Sequence, residues 1–118
     1  MTLEELRIGN KVLSDEGEVL NIFGLVRTTN EECIVHSAGG QFTYIEGISG
    51  ILLTVEILIN YDFTYKEVDH EVGYWEKDNF LVFENEDGLF SYDALVLITY
   101  LHHLQNCYYE FTSNELGH

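Results

Sequence analysis

Apolar residues fall in short runs broken by Gly, Asn and Asp, and the period of those runs changes along the chain. Residues 11–15, 18–27, 33–36 and 41–45 have the β-branched or alternating pattern of short strands, with Phe42 and Tyr44 on one face. Glu16-Gly17, Asn30-Glu31-Glu32 and Ser37-Ala38-Gly39-Gly40 supply the turns, and Gly24 reads as a bulge inside the second strand. This predicts an antiparallel meander able to curl toward a barrel. Ahead of it, Thr2 and Glu5 stand at capping-box spacing and predict a short helical turn through Leu3 and Leu6, ended by Gly9-Asn10.

Residues 48–61 are rich in β-branched side chains yet spaced for a helix. With Thr54 as cap, a helix is expected over 54–61, burying Ile57, Leu58 and Tyr61. Residues 63–70 alternate aromatic and polar positions, as a strand or an extended loop does. Strands over 74–77, 80–84 and 89–92, with turns at Asp78-Asn79 and at residues 85–88, form a second meander, and Asp87-Gly88 is a hairpin signal. Leu97, Leu101, Leu104, Tyr108 and Phe111 recur at spacings of three and four, predicting a helix over 95–111 capped by Asp93. The fold class expected is therefore α+β in a single domain, residues 1–118: two short antiparallel meanders, a short middle helix, and a longer C-terminal helix packed on the sheet.

Charge changes the picture more than composition does. Hydrophobic residues make up 46% of the 118, enough for a core, but the net charge is -16. The cations are Arg7, Lys11, Arg27, Lys66 and Lys77; beyond them lie Asp78, Glu84, Glu86, Asp87, Asp93, Glu110 and Glu115 with no Lys or Arg. Such a field repels DNA, RNA and anionic membrane and steers the protein toward basic surfaces. The plainer role of so much acid is solubility. Cys33 and Cys107 are flanked by apolar residues and read as free thiols. The N-terminal residues lack a signal-peptide pattern, and no apolar run approaches about 18 residues, so a cytoplasmic protein is expected.

Candidate chemistry is sparse. His102 and His103 point about 100° apart on a helix, and His103 with Cys107 lacks a second ligand pair, so no metal or other cofactor is expected. No nucleophile elbow, phosphate loop or metalloprotease motif is present, and a non-enzyme is expected; carboxylate-based hydrolysis or small-molecule binding is the alternative. The best contact surface is the acidic and aromatic stretch 61–76, through Asp62, Tyr65, Glu67, Asp69, Glu71, Tyr74, Trp75 and Glu76, unless its aromatics pack inward. The turn bearing Glu84, Glu86 and Asp87 is the second candidate. An accessory, homo-oligomeric role would use Tyr100, His103, Cys107 and Tyr109 on the last helix as its seam.

The run from Tyr100-Leu-His-His-Leu-Gln-Asn-Cys-Tyr-Tyr to Glu115-Leu116 resembles the ending YLHQLQNLYFALTGEEL of a family of small proteins from Bacteroidetes genomes, prophages and phages. Leu6-Arg-Ile-Gly-Asn10 with Gly17-Glu18 is similar to that family's LRIGN…GE start, and Ile45-Glu46 with Leu53-Thr54 to its IEPIPLTEE segment. Gly47 and Ser49 stand where the family has prolines, and Val55 where it has an acid. No residue role comes with the resemblance. It implies a habitat of mobile DNA, where small acidic proteins disable host enzymes that act on nucleic acid. The expected partner is a basic host protein such as an RNA-guided nuclease, most sharply a type VI-B RNA-targeting effector, which would make this chain an anti-CRISPR protein.

Overall fold

The computed structural model describes residues 1–36, 39–68, 71–85, 87–92 and 96–117, the side chains of Glu71 and Val72 excepted. The chain forms two compact units, Met1–Ile51 and Leu52–His118.

In the first unit the predicted N-terminal turn is a 3-10 turn, Leu3–Glu5, where the Glu5 carboxylate accepts from the Thr2 backbone N–H at 3.0 Å. Strands β1 (Lys11–Ser14), β2 (Val19–Asn21), β3 (Gly24–Arg27), β4 (Glu32–Val35), β5 (Phe42–Tyr44) and β6 (Ile48–Ser49) make two antiparallel three-stranded sheets, ordered β2-β1-β6 and β3-β4-β5. The single strand expected over 18–27 is therefore two strands in two sheets. The hand-over is made by adjacent residues: the Ile22 N–H donates to the Asn10 carbonyl, extending the β1–β2 ladder, and the Phe23 N–H donates to the Val35 carbonyl of β4. Gly24 opens β3 and is not a bulge. Leu3, Leu6, Val12, Leu20, Ile22, Ile34, Ile45 and Ile48 form the core, with Leu25 packed against it. The described strands close no barrel.

The second unit opens with α1 (Val55–Asn60), capped as expected: Thr54 Oγ1 accepts from the Ile57 N–H at 3.3 Å. Leu58 and Tyr61 are buried and Ile57 half-buried. Then β7 (Thr64–Val68), β8 (Glu71–Lys77), β9 (Phe80–Glu84), β10 (Phe90–Tyr92) and β11 (Val96–Ile98) form one antiparallel sheet in chain order. Its β8–β9 turn is a two-residue loop, Asp78-Asn79, with φ of 52° and 68° at the two positions. Those values match the twist of a hairpin, and Asn and Asp tolerate them better than other side chains.

Cross-strand pairing sets Tyr65, Trp75, Val82, Tyr92 and Val96 in one row across all five strands. The row is buried at its centre, where Val82 is inaccessible, and open at its ends, where Tyr65 and Val96 are 45% and 44% exposed. Helix α2 (Leu101–Thr112) packs on this face, its Tyr108 and Phe111 rings meeting Phe80 edge-on at 5.6 and 5.7 Å. The helix starts six residues later than its apolar spacing predicts. Val96, Leu97 and Ile98 are strong strand formers and pair with β10, Tyr100 sits extended at the N-cap, and Leu97 is 61% exposed, off the buried stripe. Asp93, the expected cap, lies outside the described residues.

Candidate functional site

Acid is unevenly divided. Residues 52–118 carry 13 Asp and Glu against Lys66 and Lys77, a net charge of -11, whereas residues 1–51 carry 8 against Arg7, Lys11 and Arg27, a net charge of -5. Both lysines of the second unit are engaged by the unit itself. The Lys77 ammonium donates to the Tyr61 carbonyl at 2.8 Å and the Gly117 carbonyl at 2.6 Å, and lies 5.8 Å from the centre of the Tyr108 ring. It thus satisfies the end of α1 and tethers the C-terminal tail. Lys66 lies 4.0 Å from the Glu76 carboxylate. Beside Lys77, the buried Tyr108 hydroxyl donates to Asp78; burial, with the Asp78 carboxylate, pushes this phenol up to about 12.

The predicted contact residues separate by environment. Asp62, Glu67 and Asp87 are exposed, and Tyr65 is nearly half exposed at the sheet edge. Trp75 is buried, its ring 5.2 Å from that of Tyr65, and its Nε1–H has no hydrogen-bond acceptor among the described residues. Tyr74 is half-buried on the other sheet face against Phe83, at 5.9 Å. Glu76 is half-buried and accepts the Asn79 N–H at 2.9 Å, bracing the β8–β9 turn. Glu84 is half-buried opposite Phe90. Asp69 and Glu86 lie outside the described residues, as does the Glu71 side chain. On α2, Tyr100, His103 and Cys107 are half-buried and Tyr109 is 41% exposed; the Tyr100 and His103 rings meet at 5.4 Å.

Leucines that the sequence did not single out as contacts add an apolar element. Leu52, Leu89 and Leu97, exposed by 63%, 48% and 61%, border a hollow of about 150 Å³ with Phe90 and Ile98, which are buried. The hollow sits where Leu53 N–H donates to the Thr99 carbonyl and Leu52 bridges Tyr100, just past β11. Its other wall is the β9–β10 hairpin. There Asn85 Oδ1 accepts both the Asp87 and Leu89 N–H groups at 2.9 Å, and Gly88 takes φ of 78°, fixing Asp87 beside the apolar rim. The strand-forming run Val96-Leu97-Ile98 was the signal that could have put Leu97 on a sheet edge.

Neither thiol is set up for nucleophilic chemistry. Burial, then the Glu110 charge, pushes Cys107 up, and burial with Glu31 and Glu46 does the same to Cys33, so both stay protonated near neutral pH. Among the described residues no helix is long and apolar enough to cross a membrane. No protein-family model, curated protein or solved structure matches the chain.

Proposed function

We propose that this protein binds and inhibits a basic, nucleic-acid-handling protein of a bacterial host. The observation that carries the reading is the placement of charge: a unit with a net charge of -11 whose two lysines both lie against its own carbonyls and carboxylates. The surface it offers is carboxylate, and a partner with an exposed basic channel is its electrostatic complement. The hollow bordered by Leu52, Leu89 and Leu97 supplies an apolar anchor next to Asp87. In its sharpest form the partner is an RNA-guided nuclease of type VI-B, a choice supported by the resemblance of the chain's start and ending to a mobile-element family. The carboxylates then occupy the RNA channel or alter how the nuclease holds its guide.

Co-purification with candidate host nucleases, with and without guide RNA, tests this. Retention is expected in 0.1 M salt and loss in 1 M salt, because the Debye length falls from about 10 Å to about 3 Å. Retention only of the guide-free nuclease would identify a channel plug. If no nuclease or RNA-binding protein is held at low salt, the reading is wrong.

A further inference from the structure

The β3-β4-β5 sheet sorts its side chains by face. Leu25 opposite Ile34 and Arg27 opposite Glu32 share one face, which runs into the core of the first unit. There Arg27 pairs with Glu4 and, at 2.6 Å, with Glu32. The other face carries Gly24, Val35 and Phe42 in one cross-strand row and Val26, Cys33 and Tyr44 in the next. None of these six residues is charged. Phe42 is 61% and Tyr44 47% exposed, their rings meeting edge-on at 6.3 Å. Val26 is 41% exposed, whereas Cys33 is buried.

An exposed aromatic pair fixed on alternate positions of one strand adds nothing to solubility, and contiguous apolar patches of this kind mark interaction sites. Two exposed carboxylates neighbour it along the chain: Glu31 stands two residues before Cys33, where alternation along β4 returns to this face, and Glu46 two residues after Tyr44, and the charges of both act on the Cys33 thiol. Aromatic faces near carboxylates attract a cation that can stack as well as pair. A second copy would bring one chain of net charge -16 against another, and nucleic acid is repelled by the same field.

We propose that the outer face of β3-β4-β5 docks an arginine side chain of a basic protein segment, the guanidinium lying over Phe42 and Tyr44 with Glu31 and Glu46 meeting its charge. A planar, weakly hydrated guanidinium stacks on rings and pairs with carboxylates together; the compact, strongly hydrated lysine ammonium does this less well. The surface belongs to residues 1–51 and does not depend on the acids of the second unit.

The test is a titration of the isotope-labelled full chain with hexa-arginine and hexa-lysine peptides, followed by amide NMR shifts. The arginine peptide should shift Val26, Val35, Phe42 and Tyr44 and bind about fivefold more tightly than the lysine peptide. Phe42→Ser with Tyr44→Ser should abolish that preference while leaving the weaker binding that both peptides share. Glu46→Gln, a fully surface change, should reduce the preference without touching the rings, and it serves if the double variant loses its fold. Equal affinities, or shifts confined to residues 52–118, would overturn the proposal and leave the acidic-face reading standing. A concentration-dependent dimer in sedimentation, abolished by the same double variant, would overturn it in favour of a second copy.

Discussion

Replacing Lys77 by Met removes a cation but keeps a long apolar stem, and the structure gives a magnitude for the loss. The ammonium holds the part-buried Tyr61 carbonyl at the end of α1, the Gly117 carbonyl of the tail, and the face of Tyr108. A charged hydrogen bond to a part-buried acceptor contributes about 1.5 kcal/mol or more. The bond to Gly117 is solvent-exposed and is screened to a few tenths, roughly 0.3 kcal/mol. An ammonium over a ring at this distance adds about 0.5 kcal/mol. The expected cost is about 2 kcal/mol, which lowers a urea midpoint by about 1–2 M for a unit of this size. Trp75, the only tryptophan, is buried in β8 two residues away, so its fluorescence reports this unit. Lys66→Met is the control: it makes the same change in net charge, but its partner Glu76 is 4.0 Å away at the surface, and it should cost less than about 0.5 kcal/mol. If the two variants cost the same, the effect is self-repulsion of the acidic chain and the inward tether is refuted. A Lys77→Met cost below about 0.5 kcal/mol refutes it as well.

Two further outcomes follow from the same unit. Burial and Asp78 raise Tyr108 to about 12, above the roughly 10 of an unfolded chain, so its contribution is full below about pH 10 and is lost as pH rises toward 12. Denaturation scans across that range should show a steeper alkaline fall in the parent than in Tyr108→Phe, and parallel curves would exclude Tyr108 as the cause. Gly73→Ala should destabilise by about 1–3 kcal/mol, because a Cβ there would lie 2.5 Å from the Lys66 backbone carbonyl as well as against the Tyr65 hydroxyl. Tyr65→Ala in the same chain should recover only part of the loss, and full recovery would show that the carbonyl contact does not matter.

What could be read in advance was local. The Thr54 cap, the Asp78-Asn79 loop and the Asn85–Gly88 turn each follow from side chains acting on backbone within a few residues. Partner choice was not local and was missed. Residues 18–27 have one unbroken strand pattern, yet Ile22 and Phe23 bond to different strands, which no periodicity encodes. Leu97 fits both a helical stripe with Leu101 and Leu104 and a strand with Val96 and Ile98; pairing with β10 decided for the strand. The contact surface suffered likewise. Tyr65 and Trp75 look alike in sequence, but register sets them side by side on the face that α2 packs against, Trp75 buried and Tyr65 at the open edge. Alternation did place Phe42 and Tyr44 on one face, but it could not say that this face turns outward.

Net charge alone is a poor selector of partners, since any basic protein answers to it. Long-range attraction raises the rate of encounter and fades with salt, whereas fit at short range sets how long a complex lasts. The features able to supply that fit are apolar and belong to each unit separately: the leucine-bordered hollow beside Asp87 in residues 52–118, and the Phe42–Tyr44 face neighboured by Glu31 and Glu46 in residues 1–51. In both places exposed carboxylates neighbour exposed apolar or aromatic side chains along the chain, a combination that the proposed binding role would use. Under the proposed reading, the acid brings a basic partner near and Leu52, Leu97 and Phe42, each more than 60% exposed, supply the apolar contact that holds it.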